Sequence, residues 1–456
     1  MPERTLSRRT FLTRTGLLAG SGAAVALLDA CGVSTPPAAS ASATSAGTAA
    51  STAPTAATPV QLSVEGWNYD PTFHQQRIDV FEKAYPNVKV DLIADAAAAY
   101  GQKIIARFTS GNAPDVIFVH DNQLAGWADA GYIQPVQGLP SWQEKSAGLI
   151  PFAKTGLTYK GKLWGLPYAS DFLVYIYNEQ ILSKVQIETL PVTWSDVAQQ
   201  SLEIKRAGLL ETPVIFPLNA TAHLHWWSAI YGSGGSLFNE NDEPLFPDKD
   251  PVALQVLEWL VDAARNTKIL NMGSVQMGTG EGRLAMAGGR AAFISSAEYD
   301  LKVINDPKKS KIAGAGKQIL FPSLTAVGPH GTAGFSTMYC ISAKTQHRNE
   351  AWELVQTLGS PDSGKALCLK DGVGYAFEAL NSDKEIAASR GKWMDATLAS
   401  KQAATAKELQ ALSATWYPTW SKFNQQQLQE AVLGQKTPRA ALTDSANKAI
   451  ALKQGK

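Results

Sequence analysis

The chain has 456 residues, 45% of them hydrophobic and 18% charged, with 41 Lys+Arg against 40 Asp+Glu. That length and apolar content suit roughly two or three domains with sizeable cores. The balanced charge excludes a basic nucleic-acid binder and an acidic disordered chain, and three cysteines exclude a disulfide-dense scaffold.

Residues 1–30 read as an export address. Arg4, Arg8, Arg9 and Arg14 precede an apolar run, 16–28 (GLLAGSGAAVALL), that is too short to span a bilayer. Residues 7–12 (SRRTFL) resemble a twin-arginine export motif. Residues 28–31 (LDAC) resemble a bacterial lipobox, which implies cleavage before Cys31 and lipidation of its sulfur; Asp29 departs from the small or apolar residue usual there. Removing 1–30 takes away four Arg, one Glu and one Asp, and the net charge passes from +1 to −1. Residues 32–59 contain only Gly, Val, Ser, Thr, Pro and Ala. Such a stretch cannot bury a core and reads as a disordered tether over 31–59. One acyl chain binds membranes marginally, whereas the two or three of a lipoprotein anchor it stably.

The body alternates strands and helices. A strand over 61–65, a helix over 73–85 stopped by Pro86, and a second strand over 88–93 open it. A helix over 100–108, a buried strand over 115–119 and a helix over 124–130 follow, a pattern that argues for a parallel sheet covered by helices. A hairpin-like stretch runs through 159–167, and 172–177 (FLVYIY) is strongly β-prone. Beyond it lie a helix to Arg206, a strand over 214–217 and a helix over 223–231. The stripe Val252, Ala253, Val256, Leu257, Leu260 and Val261 is amphipathic over 251–266. A short helix over 282–287 and strands over 291–294 and 337–342 precede a mostly helical end. Cys340 and Cys368 are either two buried thiols or a disulfide.

Catalytic signatures are missing. G-x-S-x-G, G-x-x-x-x-G-K-[ST], H-E-x-x-H and C-x-x-C do not occur. His223 and His225 point apart at i,i+2 on a helix and lack a third ligand, so no metal and no cofactor are expected. Nothing marks the carboxylate pair of a glycoside hydrolase, although such residues can lie far apart in a chain. Twelve Trp and thirteen Tyr are a stock of flat surface that suits sugar rings and also fills cores.

Several segments, taken in order, carry a resemblance. They are 81–90 (FEKAYPNVKV), 110–116 (SGNAPDV) with His120-Asp121, 161–168 (GKLWGLPY) with Tyr177-Asn178, 232–238 (GSGGSLF), 282–293 (GRLAMAGGRAAF) and 431–449 (AVLGQKTPRAALTDSANKA). Over residues 61–456 the chain resembles the extracellular solute-binding proteins of ABC importers, in the sugar-binding, maltose-binding-protein-like branch. The resemblance implies an α/β, two-lobed, periplasmic-binding-protein-like fold of class II type, with discontinuous lobes, a hinge and an interlobe cleft. It places the N-terminal lobe at 60–170 plus 296–335 and the C-terminal lobe at 171–295 plus 336–456, with crossings near 170, 295 and 335. The ligand-binding residues it implies are Trp67, Asp121, Asp171, His225, Trp226, Trp227, Glu298, Tyr299, Trp416 and Tyr417. Aromatic platforms would take the C–H face of a pyranose and carboxylates its hydroxyls.

The function so implied is a non-catalytic monomeric receptor, lipid-anchored at the outer face of the bacterial cytoplasmic membrane. It would capture a carbohydrate, an oligosaccharide by the branch, and deliver it to an ABC permease, with no nucleic acid among its partners. The alternatives are an exported glycoside hydrolase or lyase, and a same-fold binder of a glycerol phosphoester. The carried-over positions are aromatic and acidic with no Arg, which disfavours an anion.

Overall fold

The computed structural model describes residues 59–67, 70–219, 222–391 and 393–455. The export address, the lipobox with Cys31 and most of the tether lie outside the described residues. Residues from Ala57 to the end form one compact unit. No described helix is long and apolar enough to cross a membrane.

Among the described residues there are twelve strands: β1 (Val60–Trp67), β2 (Val88–Asp95), β3 (Val116–His120), β4 (Ile133–Gln134), β5 (Thr158–Tyr159), β6 (Lys162–Leu163), β7 (Gly165–Asn178), β8 (Val214–Ile215), β9 (Phe293–Ala297), β10 (Gly316–Ile319), β11 (Thr332–Ser342) and β12 (Ala406–Lys407). β1 pairs parallel with β2 and β3, as the alternation of strand and helix at the start of the body requires. β11 then pairs antiparallel with β3, and β7 antiparallel with β11. β9 pairs antiparallel with β7 and parallel with β8. The path is β2-β1-β3-β11-β7-β9-β8, so one sheet is threaded through the whole body.

The helices start where the chemistry dictates. Asp70 accepts the Phe73 amide proton at 3.0 Å and Pro71 opens the helix Pro71–Ala84. Thr193 and Asp196 form a reciprocal capping box on Trp194–Arg206. The helix Val252–Arg265 buries Ala253, Val256, Leu257 and Leu260 of the expected apolar stripe and packs Val252 and Val261, half-buried, against the same core.

β7 is twice the length the β-prone run suggested, and every residue of it is buried. Pro167 cannot donate to a ladder, and the register with β11 shifts there: Thr337 faces Ala169 while Met338 faces Pro167. The strand therefore bends next to the point where it changes core. Leu166, Tyr168 and Ala169 pack in a first core with Leu62–Leu163 and with Met338–Ile386. Leu173, Tyr175 and Tyr177 pack in a second core with residues from Trp194 to Ala333 and from Leu409 to Ala449. The opposite face of the same strand, Phe172, Val174 and Ile176, covers a smaller third core with Met286, Ile294, Leu301 and Met394.

This distribution corrects the expected partition of the chain. Residues 296–333 pack with the second and third cores rather than with 60–170, because β9 and the helix Asp300–Ile304 stay on the β7 ladder. Met338–Ile386 packs with the first core, because β11 pairs with β3 from Thr337 onward. The crossing expected near Ser295 is not made. The chain passes between cores at 169–172, at 333–338 and again between Ile386 and Met394. Cys340 and Cys368 are both buried free thiols.

Candidate functional site

The two long crossing strands meet at Ser170 and Ser336, whose hydroxyls are 3.0 Å apart. Two carboxyl groups close on this point from different cores. Asp121 follows β3 and begins the helix Asp121–Asp129, so its side chain stands at the end of a sheet strand. Its Oδ2 accepts the Ser336 amide proton at 2.5 Å and its Oδ1 the Asn122 amide proton at 2.6 Å. Glu408 follows β12 and accepts the Ser336 hydroxyl proton at 3.3 Å. Burial pushes the Asp121 carboxyl up to about 6. Burial and then the charge of Asp121 push Glu408 well above the usual range. A small cavity of about 130 Å³ opens beside the pair, between Leu124, Thr155, Tyr159 and Leu409.

Trp67 stands next to this pair. It is half-buried at the end of β1 and stacks on His120, with ring centroids 4.3 Å apart and planes 3° from parallel. Phe118 and Tyr100 hold its edges at 5.2 and 5.5 Å. Burial pushes the His120 imidazole down to about 4, so the stack is uncharged at neutral pH.

A second acidic group lies one residue further along β7. Asp171 Oδ1 accepts the Gly374 amide proton. Burial, then the charge of Glu298, pushes Asp171 up to about 8. Glu298 Oε1 pairs with Arg390 Nη2 at 3.2 Å, while Oε2 has no hydrogen-bond partner among the described residues. Burial raises the Glu298 carboxyl and Arg390 only partly pulls it back. Arg390 also donates to the carbonyls of Gly372 and Val373 and lies 4.8 Å over the Tyr375 ring. Gly374 is needed at this close approach, since a Cβ there would stand 2.5 Å from Asp171 Oδ1 and 2.8 Å from Glu298 Oε1. A cavity of about 340 Å³ opens over Glu298, lined also by Ser170, Phe172, Tyr375, Glu378 and Ser400. Its walls come from the first core, the third core and the crossing strand.

Four of the expected site residues are thus gathered around the crossings: Trp67, Asp121, Asp171 and Glu298. Tyr299 is half-buried and packs against both large cores. The others sit elsewhere. Trp226 and Trp227 are fully buried in the second core, because the helix Ala222–Gly232 is enclosed over all its described side chains. His225 is buried too and bridges Ser295 at 2.7 Å and Thr279 at 3.1 Å. Tyr417 is fully buried, and Trp416 packs on Phe238 at 5.7 Å. None of these five lines either cavity. The expectation of cleft platforms is therefore corrected for Trp226, Trp227 and Tyr417, which are core aromatics, and for His225, a core hydrogen-bond bridge, while Trp416 is half-buried against the second core. The groups that sequence reasoning missed, Glu408, Arg390, Gly374 and Tyr375, lie between 372 and 408. That stretch reads only as helical, and single charges in it carry no periodic signal.

The family model of bacterial extracellular solute-binding proteins matches residues 68–365. An uncharacterized lipoprotein from Streptomyces antibioticus is 23% identical over 364 residues, 76% of each chain. Among solved structures, a maltose-bound MalE3 from T. maritima matches with a TM-score of 0.75 at 17% identity, covering 86% of this chain and 100% of that one. An ABC substrate-binding protein from Listeria monocytogenes, in complex with cycloalternan, matches with a TM-score of 0.72 at 17% identity, covering 87% and 99%. The α/β architecture is the two-lobed periplasmic-binding-protein-like fold, its lobes discontinuous and hinged where β7 and β11 change core. With its family model matched over most of the body, the chain belongs to the bacterial extracellular solute-binding proteins.

Proposed function

We propose that this protein is a non-catalytic, lipid-anchored receptor at the outer face of the cytoplasmic membrane. It captures a carbohydrate between its lobes and hands it to the permease of an ABC importer, with Cys31 carrying the lipid. The observation that carries the reading is the meeting of Asp121, from the first core, with Glu408, from the second, at the Ser170–Ser336 crossing. A group recognised by both closes the lobes by its differential affinity for the closed state. Buried carboxylates accept charge-assisted hydrogen bonds from hydroxyls, and the Trp67–His120 stack offers an uncharged aromatic face beside them. Asp121, Asp171, Glu298 and Trp67 are the proposed ligand contacts. The solved relatives with maltose and cycloalternan support a sugar as the solute.

The test is a titration of purified full-length protein with a panel of mono- and oligosaccharides. Intrinsic Trp fluorescence reads binding and small-angle scattering reads the radius. A micromolar or tighter sugar that shrinks the radius supports the proposal. A panel in which only phosphate esters, peptides or metals bind refutes the sugar assignment, and tight binding at constant radius refutes closure.

A further inference from the structure

We infer that the solute held in the 340 Å³ cavity carries a positively charged amino group, so that the receptor selects an amino sugar over its neutral counterpart. This rests on the carbohydrate reading, takes the cavity over Glu298, one of the proposed contacts, as part of the sugar site, and goes one step further, to the charge of the ligand. A volume of about 340 Å³ is near the lower end for small-molecule sites, which suits a short sugar.

The argument is an imbalance of donors and acceptors. Glu298 is fully buried, lines the cavity, and leaves Oε2 without a hydrogen-bond partner among the described residues. A buried carboxylate oxygen in that state is costly unless something donates to it. Arg390 does not do so: its Nη2 is directed at Glu298 Oε1 and at the carbonyls of Gly372 and Val373, and its plane lies over Tyr375. A second carboxylate, Glu378, stands at the exposed rim of the same cavity. A third, Asp171, faces Glu298 across Gly374. The nearby Asp300 is neutralised separately by Arg283 at 2.8 Å. With the Asp171 proton held on at neutral pH, Glu298 and Glu378 bring two negative charges to the cavity against the one guanidinium of Arg390 among the described residues.

A hydroxyl can donate one proton to Oε2, but it leaves the charge surplus in place. An ammonium donates and also neutralises, and hydrogen bonds between charged partners are the stronger class. Asp171 supports the same conclusion: with no second cation against it among the described residues, burial and the charge of Glu298 hold its proton on at neutral pH. The other titratable or charged groups packed around it are Asp300, Arg390 and Cys368. An ammonium bound against Glu298 brings one positive charge to this group and lets the Asp171 proton leave to solvent.

The experiment is calorimetric titration of the full-length protein at pH 7 with matched pairs. These are glucosamine against glucose, galactosamine against galactose, and the β-1,4 glucosamine disaccharide against cellobiose. The expected result is that the amine binds about ten- to a hundredfold tighter than its twin in at least one pair. Its binding enthalpy should also differ between buffers of unlike ionisation enthalpy, showing proton release. Glu298→Gln should remove that preference; if Glu298→Gln fails to fold, by circular dichroism, Glu378→Gln should reduce it. Neutral sugars binding as well as or better than their amine twins overturns the inference and leaves the carbohydrate reading standing. Binding by neither member of any pair overturns the inference, and the wider sugar panel then decides the carbohydrate reading.

Discussion

Asp171→Asn offers a sharp test of the electrostatics at the crossing. The amide keeps the shape of the carboxyl, and its oxygen can still accept the Gly374 amide proton. What it removes is a titration. Asp171 holds its proton to about pH 8 in the folded chain against 3.8 as an ordinary aspartate. Between those two values the folded state carries a proton that the unfolded chain has released. Stability therefore falls as pH rises through that window, by about 1.4 kcal/mol per pH unit. The ceiling above pH 8 is about 6 kcal/mol, set by the full shift. Asparagine escapes the loss, so the advantage of the variant should grow by about 3 kcal/mol between pH 5.5 and pH 8. For a body of this size that is a Tm gap widening by roughly 3–4 °C. Differential scanning calorimetry of parent and variant across that range reads it, and the difference between them cancels the titration of the other buried acids, Asp121 among them. A gap that stays constant, or narrows with rising pH, would mean that Asp171 is ionised in the folded protein and that a cation lies against it.

Trp226→Ala should cost about 3–5 kcal/mol in urea unfolding, the usual range for emptying a fully buried Trp site, since the ring sits in the second core against Phe246; unchanged stability with weakened sugar binding would return it to the cleft. Gly374→Ala should cost about 1–3 kcal/mol, because the new methyl would clash with the Ser170 backbone carbonyl as well as with the Asp171 and Glu298 carboxyls; a melting temperature equal to that of the parent would show that the loop yields. Cys31→Ala should leave an unlipidated precursor and no protein in the washed membrane pellet, and the same pellet from Arg8→Lys with Arg9→Lys should be empty, because a Lys point charge does not reproduce a guanidinium. Membrane protein at parental level from the double-Lys chain would rule out the twin-arginine route.

The sequence made some of this legible and not the rest, for identifiable reasons. Local periodicity carried the elements: the stripe of Val252–Arg265 and the alternation in β1 and β2 are encoded within a few residues of themselves. The length of β7 was not, because Pro167 and the glycines before it imitate a turn, and only the bulge against β11 lets the strand continue through them. Residue type alone misled at Trp226 and Trp227. An aromatic ring suits a pyranose and a protein core equally, and two adjacent helix positions cannot both face one cleft.

The partition between lobes failed for a deeper reason, and that reason bears on function. Which core a segment joins is decided by pairing across long sequence separations. Thr337 lies opposite His120, and Phe335 opposite Asp171. No local pattern records that β11 will reach past its own neighbours to β3. Yet this pairing builds the site. It brings the Ser336 amide to Asp121, sets Ser336 against Ser170, and leaves room for Glu408 to enter from the chain's last passage between cores. The place of Asp121 at a strand end was legible because it sits in a local motif. Glu408 was not, because its meaning comes entirely from what it meets. In a receptor whose ligand is held between lobes, half the contacts must come from such distant segments. The half of the proposed site that sequence conceals is therefore the half on which the proposed closure would depend.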